Sequence, residues 1–305
     1  MPRPIFADPK TDFAFKRILG SEEHKDVLVA FLNDMLELDG PHRIVEVALL
    51  SPEQRPPVAE LKLSIVDVRC TDARGVTYVV EMQVLQVEGF EKRVVYNVAK
   101  TYVNQIAPGH GYPHLNDVVG ITICDFALWP DTEARQLPML SRWRMTEQQT
   151  GAKGLGQIQL VFLELPKYDT SRPPRTMVEK WAYFFREADN LTMVPEVLAE
   201  HPFRDALDAA RIAGFTAREW DAYILAGIEI QNERGALTVA EQRGREAERR
   251  ESVVRLCRVL GIQLTEQQHD ELARLDAAGL AALLARLAGP ATQGPTFADP
   301  RGGSK

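Results

Sequence analysis

Two carboxylates and one amide are the side chains of this sequence whose types and spacing suggest chemistry. Asp67 lies near the end of an apolar run, and Glu81 and Gln83 lie in a second run after a short break. The break, residues 72–75, begins with Asp and ends with Gly, which suits a three-residue hairpin loop closed by a left-handed glycine. Counting back along the ladder from this turn places Asp67 opposite Glu81, with Cβ atoms roughly 5 Å apart. Gln83 projects to the same face as Glu81, because alternate residues of a strand share a face.

Such a pair of acids is unfavourable unless something offsets the repulsion. Two carboxylates about 5 Å apart repel by roughly 3 kcal/mol at an effective dielectric of ~20. Protonation of one acid, an intervening cationic side chain or a bridging divalent metal would each relieve this repulsion. Mg²⁺ favours one or two carboxylates together with water and phosphate oxygens. From geometry alone, two acids at the solvent edge of an antiparallel sheet remain the alternative.

An apolar strand with Asp, a hairpin and then Glu-x-Gln resembles the PD-(D/E)xK nuclease core. More narrowly, the chain resembles the Rpn family of recombination-promoting nucleases, whose members are also described as transposases. The likeness covers roughly residues 5–235, and the order and spacing of several stretches carry it. They are residues 8–16 (DPKTDFAFK), 63–68 (LSIVDV) and 80–83 (VEMQ), then Arg93, Tyr96, Tyr102 and Gln105, then 162–167 (FLELPK) and the Trp181-x-x-Phe184-Phe185 pattern.

Two positions depart from the general nuclease pattern. Val66 stands where the superfamily's name has Pro, which is not a ligand. Gln83 stands where many members have Lys, although the Rpn family commonly has Gln at this position. Lysine supplies a point charge beside the attacking water or the phosphate, whereas glutamine orients its neighbours only by hydrogen bonds.

The resemblance implies a metal-dependent DNA endonuclease that hydrolyses phosphodiester bonds and promotes recombination or mobile-element movement. Asp67 and Glu81 are then the ligands of Mg²⁺, or of another dication such as Mn²⁺ or Ca²⁺. The backbone carbonyl of Met82 assists them, and Gln83 positions the attacking water. Asp12 is a candidate third ligand, with a helix N-cap as its alternative role.

The charge balance bears on the expected partner, DNA. The formal net charge is −7, which does not favour broad attraction to nucleic acid. A DNA-acting protein with this balance needs a local basic or polar surface. Its candidate residues lie in segments that flank the acidic pair: Lys10, Lys16, Arg17, Arg93, Lys100 and Gln105. Ordinary solvated charges are the alternative for each of them.

Composition limits the setting in which the protein is expected to work. Hydrophobic residues make up 45% and charged residues 26% of the 305 residues, as in soluble globular proteins. No apolar run approaches the ~20 residues that span a bilayer, so no membrane association is expected. Cys70, Cys124 and Cys257 are isolated, which argues against a disulfide framework and predicts a reducing cytoplasm.

The order of periodic segments predicts an α/β fold, a restriction-endonuclease-like core with a mixed central sheet flanked by helices and followed by a C-terminal helical extension. The predicted strands are residues 43–50, 61–70, 76–84, 117–128, 140–146 and 157–165. The predicted helices are residues 12–19, 21–37, 88–106 and 176–190, with further helices through 195–234.

The sequence predicts three regions: a nuclease-like domain over residues 1–235, a charged and leucine-rich helical module over 236–288, and a disordered end over 289–305. Residues 265–268 (TEQQ) resemble a capping box that opens a helix of this module. The module is either a self-packed bundle or a surface for a homodimer or a partner protein. A protein that keeps the nuclease fold but acts only through this helical tail is the alternative function.

Overall fold

The computed structural model describes residues 4–54, 63–106, 109, 111–130 and 136–288. The chain divides into two compact units, Met1–Ile230 and Gln231–Lys305. The predicted disorder of residues 289–305 and the first two residues of the predicted strand 61–70 lie outside the described residues.

A six-stranded mixed sheet forms the centre of the first unit, in the order β1-β4-β5-β6-β8-β7. The strand β4 pairs with β5 in antiparallel fashion, and β5, β6 and β8 run parallel to one another. This confirms the predicted α/β class with a mixed central sheet. The strands are β1 Val47–Leu49, β2 Glu53–Gln54, β3 Ser64–Ile65, β4 Val68–Asp72, β5 Thr77–Gln83, β6 Val118–Cys124, β7 Leu140–Arg144 and β8 Ile158–Glu164.

Helices cover both faces of this sheet. One face buries Tyr78, Val80 and Met82 of β5 in a core that also contains Phe15 and Trp181. The other face packs against the helix α3, as described below. The helices of the first unit are α1 Asp12–Leu19, α2 Lys25–Leu36, α3 Phe90–Val103, α4 Met177–Glu187 and α5 Phe203–Ala209, and α6 Ala217–Val259 begins in it.

The helix α3 approaches the sheet closely at Gly120 of β6. A Cβ atom at this position would lie 2.5 Å from Cγ2 of Val98 and 3.2 Å from Cδ2 of Leu160. Val98 also packs with Val79 of β5. The absent side chain therefore sets the distance between α3 and the strand that carries Glu81.

The predicted continuous strand 61–70 is wrong, because the chain bends between two short strands. The first of them, β3, pairs with β2 in a separate two-stranded sheet, and β4 joins the large sheet. Val66 and Asp67 lie between the two strands, and the N–H of Val66 donates to the carbonyl of Pro52. Asp67 is therefore held at a bend rather than within a strand.

The helical region after Thr216 also differs from the prediction. The helix α6 continues for 43 residues, past the predicted domain boundary at 235. It is followed by α7 Glu266–Arg274, which opens on the predicted capping box of Thr265 and Gln268, and by α8 Ala277–Ala288. In the second unit, these helices bury a core of their own that includes Val253, Cys257, Leu272, Leu280, Leu283 and Leu287. This core agrees with the self-packed alternative. Among the described residues, no helix has the length and apolarity needed to cross a membrane.

Candidate functional site

The turn between β4 and β5 has the predicted geometry. Gly75 has a φ of 84°, and its N–H donates to the carbonyl of Asp72 at 3.0 Å. The carboxylate of Asp72 accepts from the backbone N–H groups of Arg74 at 2.9 Å and Val76 at 3.0 Å. The short polar side chain therefore fixes the loop and, through it, the register of the hairpin.

The ladder of this hairpin runs in the predicted register. Its last pair before the bend is Val68 with Val80. One further step along each strand reaches Asp67 and Glu81. The two acids are thus neighbours at the open end of the hairpin, although Asp67 itself belongs to the bend.

Asp67 is anchored to the backbone of the neighbouring strand. Its Oδ2 atom accepts a hydrogen bond from the N–H of Met82 at 2.8 Å. Burial raises the pKa of this carboxyl from 3.8 to about 7; the Met82 bond opposes the rise, and the charges of Glu81 and Asp12 add to it. Negative charge at this position is therefore unfavourable in the metal-free protein.

Glu81 is 6% exposed and points toward α3. Its Oε1 atom accepts a hydrogen bond from Nδ2 of Asn97 at 2.8 Å. The Oδ1 atom of Asn97 accepts in turn from the hydroxyl of Ser64 at 2.5 Å. Burial raises the pKa of Glu81, while the Asn97 bond and the charge of Arg93 oppose the rise.

This donor set fits a divalent cation. The two carboxylates supply hard oxygen atoms, which Mg²⁺ and Ca²⁺ prefer. Both acids have raised pKa values because burial disfavours their charged forms, and a bound dication would favour those forms instead. Asp67 and Glu81 each use one carboxylate oxygen in the hydrogen bonds described above.

Gln83 contacts a cation on the neighbouring helix. An Nη atom of Arg93 donates to Oε1 of Gln83, and the guanidinium lies 5.8 Å from the centroid of the Phe90 ring. Because the amide oxygen accepts from Arg93, the Nε2 group of Gln83 remains a donor on its other side. Arg93 therefore places a positive charge beside Gln83, at the position where many members of the superfamily have a lysine.

Asp12 lies at the first position of α1, and Thr11 is the N-cap of that helix. The alternative role of Asp12 as the N-cap is therefore wrong. Its carboxylate pairs with Nζ of Lys16 at 2.6 Å, and the charges of both side chains affect the pKa of Asp67. Asp12 is thus near Asp67, and its role as a third ligand stays a prediction.

The other predicted DNA-binding residues take part in contacts within the chain. Nζ of Lys10 donates to the carbonyl of Phe185 at 3.2 Å, and the side chain is 11% exposed. Arg17 contacts the Ala209 carbonyl and Glu219, Gln105 contacts the backbone of Asn116, and Lys100 contacts, among others, the ring of Tyr96. Because the Lys10 side chain is largely buried, little of it is accessible to DNA.

Asn97 and Ser64, which hold Glu81, are not among the site residues that the sequence predicts. The signal for Asn97 was present, since it lies on the buried stripe of α3 with Phe90, Val94, Val98 and Thr101. A buried amide on an apolar stripe needs a polar partner. Ser64 gave no such signal, because β3 could not be separated from β4 in the sequence.

A different group of metal-ligand types lies elsewhere in the first unit. Asp26, His201 and Asp205 place ligand atoms within 4.8 Å of one another. The Nδ1 atom of His201 contacts Asp205 at 2.7 Å, and all three side chains are largely exposed. A surface hydrogen bond between His201 and Asp205 accounts for the shortest of these contacts.

The mixed sheet has helices on both faces and an acidic pair at the open end of a hairpin. These features define a nuclease-like protein of the PD-(D/E)xK class. Residues 9–226, well over half of the chain, match the family described as PD-(D/E)XK nuclease family transposase. The chain belongs to this family, which confirms the resemblance stated from the sequence. Among curated proteins and solved structures, none matches the chain.

Proposed function

We propose that the protein is a divalent-metal-dependent DNA endonuclease whose strand cleavage promotes recombination or mobile-element movement. The observation that carries the proposal is the meeting of two acids, the buried Glu81 and the partly buried Asp67, at the open end of one hairpin. Their pKa values are raised, so the site gains from binding a dication. Mg²⁺ is the proposed metal, and Mn²⁺ or Ca²⁺ are the proposed substitutes for it in vitro.

Each residue of the site has a proposed role in binding or orientation. Asp67 and Glu81 hold the cation, and the Met82 carbonyl is a further proposed ligand. A bound dication would lower the pKa of a coordinated water and offset negative charge on the reacting phosphate. Gln83 orients the attacking water through Nε2, and Arg93 places positive charge beside the amide.

The reaction is hydrolysis of a phosphodiester. The oxygen of water bonds to phosphorus, the bond from phosphorus to the leaving oxygen breaks, and the proton lost by water ends on the leaving oxygen or in solvent. No lysine stands at position 83 to supply a charge there. The proton transfer therefore depends on the acidity of the attacking water more than on a side-chain base.

Plasmid cleavage tests this proposal. Purified protein is incubated with supercoiled plasmid in EDTA, Mg²⁺, Mn²⁺ or Ca²⁺, beside the isosteric variants Asp67→Asn and Glu81→Gln. We expect metal-dependent nicking that falls at least 100-fold in both variants. Glu91→Ala, which removes an exposed acid from the first turn of α3, is the matched control and should retain activity.

Two outcomes contradict the proposal. Cleavage that is unchanged in both variants would assign the activity to a contaminant or another site. No cleavage by the wild type with any of these metals would remove the endonuclease function.

A catalytically degenerate interaction protein is the second candidate. Two observations favour it: Gln83 replaces Lys, and Lys10 and Arg17 are engaged by Phe185, Ala209 and Glu219 within the first unit. In that case, the helices of the second unit bind a second copy or a partner protein. Absence of both metal binding and cleavage, with a dimer in analytical ultracentrifugation that is lost on deletion of residues 231–305, would support it.

A further inference from the structure

We propose that Asn97 is a positioning residue for metal binding and that Ser64 acts through it. This inference rests on the proposed function, because it concerns how Glu81 is prepared to hold a cation. Two hydrogen bonds in series link these three residues. The Ser64 hydroxyl donates to Oδ1 of Asn97, and Nδ2 of Asn97 donates to Oε1 of Glu81.

The chain of bonds fixes the direction of the Asn97 amide. A carboxamide oxygen can only accept, so the Ser64 hydroxyl must be the donor at 2.5 Å. The NH₂ end of the amide is then turned toward Glu81, where it donates at 2.8 Å. The Ser64 hydroxyl therefore helps to hold the amide in the orientation that presents its NH₂ group to the carboxylate.

Burial makes this arrangement rigid. Ser64, Glu81 and Asn97 are each less than a tenth exposed. Their groups cannot exchange these bonds for water without a large desolvation penalty. The three residues come from β3, β5 and α3, so the bonds join three elements at the acidic pair.

These hydrogen bonds therefore orient the Glu81 carboxylate. The bond from Asn97 occupies Oε1, and within the described part of the chain no hydrogen bond is made to Oε2. One oxygen is therefore held by the protein and the other remains for a cation. Outer hydrogen bonds of this kind commonly change metal affinity by about 10- to 100-fold.

Titration calorimetry with Mn²⁺ and the full-length protein tests the proposal without reference to activity. Asn97→Leu keeps the branched shape of the side chain and removes the donor, and Ser64→Ala removes only the hydroxyl. We expect the dissociation constant for Mn²⁺ to rise about 10-fold or more in Asn97→Leu and about 3-fold in Ser64→Ala. In the double variant, Ser64→Ala should add nothing to Asn97→Leu, because Ser64 acts through the amide.

Thr101→Val is the matched control. Thr101 is buried one turn further along the same stripe and bonds to the backbone carbonyl of Asn97 rather than to Glu81. Its substitution should leave Mn²⁺ affinity within about twofold of the wild type, even where it lowers stability.

Every outcome of this experiment decides the proposal. Unchanged affinity in Asn97→Leu, or independent effects of the two substitutions, would overturn it while leaving the proposed function in place. Should Asn97→Leu not fold, Ser64→Ala decides alone, and unchanged affinity overturns the proposal. A wild type that neither binds Mn²⁺ nor cleaves plasmid would overturn the proposed function and this inference together.

Discussion

The carboxylate of Asp67 accepts a hydrogen bond from the backbone N–H of Met82 at 2.8 Å, across the open end of the β4–β5 hairpin. Met82 lies between Glu81 and Gln83, so this bond ties the first acid of the site to the strand segment that carries the other two groups. Because the donor belongs to the backbone, substitution of the Met82 side chain leaves it in place. The bend before β4 is what brings Asp67 to this position.

The raised pKa of Asp67 predicts a pH dependence of stability in the metal-free protein. Its carboxyl titrates at about 7 when folded and near 3.8 when unfolded. The folded state therefore binds this proton more tightly, so the contribution of Asp67 to stability is fully present below about pH 4 and is lost as the pH rises through 7. Asp67→Asn removes the carboxyl and should therefore remove this pH-dependent loss of stability.

Urea unfolding in EDTA at pH 5 and pH 8 measures that dependence. The gain in unfolding free energy from Asp67→Asn should grow by about 2–3 kcal/mol between the two pH values. The same gain at both pH values would show that the carboxyl titrates normally in the folded state.

Gly120→Ala should destabilise the protein by about 1–3 kcal/mol, because the new Cβ overlaps with Val98. Val98→Ala in the wild type should also cost about 1–2 kcal/mol, since it leaves a small cavity. In the Gly120→Ala background, however, Val98→Ala should be neutral or stabilising because it relieves the overlap. Urea unfolding of the four proteins tests this, and additive losses would contradict the close approach of α3 to β6.

Because Arg93 donates to Gln83, we predict that the Arg93 guanidinium supplies the positive charge that a lysine at position 83 would otherwise supply. Arg93→Ala should slow single-turnover cleavage of a labelled duplex by about 10-fold, which corresponds to about 1.4 kcal/mol of transition-state stabilisation. Gln83→Lys in the same background should restore most of the rate, because lysine returns a cation to this place.

Lys92→Ala is the control for that experiment, since Lys92 is an exposed cation beside Arg93 on α3. It should reduce the rate much less than Arg93→Ala. Equal losses in the two variants, or no recovery with Gln83→Lys, would indicate general attraction of DNA instead of a charge at the site.

Asp72 should be important for the stability of the hairpin. Its carboxylate is nearly buried and accepts from two backbone N–H groups, from the Tyr78 hydroxyl at 3.0 Å and from Arg74. Asp72→Ala leaves these donors without a partner and should cost about 2–4 kcal/mol, whereas Asp72→Asn keeps part of the bonding and should cost less. Equal and small losses by thermal unfolding would contradict the role given to this residue.

The hairpin was predictable from the sequence, and the surroundings of the acidic pair were not. Asp72 and Gly75 determine a local turn, and a turn of known length sets which residues face each other. The break between β3 and β4 was missed because residues 63–70 are continuously strand-like in type, and only their pairing with different strands separates them. Local propensity contains no information about such a change of partner.

The contact between α3 and Glu81 could likewise not be predicted from the sequence. The pattern of α3 predicts a helix with one buried stripe, but Asn97 appears there as a polar interruption whose partner comes from a strand 16 residues earlier. Contacts of this kind depend on the packing distance that Gly120 sets. Likewise, nothing in the charge pattern indicated that Lys10 and Arg17 would be engaged by backbone carbonyls of other helices.

The proposed function depends most on the binding of one dication by Asp67 and Glu81 together. A crystal soaked in Mn²⁺ and measured at the manganese absorption edge tests it directly. We predict an anomalous peak within bonding distance of a carboxylate oxygen from each of the two residues. An empty pair with a peak only at Asp26, His201 and Asp205, or no ordered manganese at all, would contradict the claim.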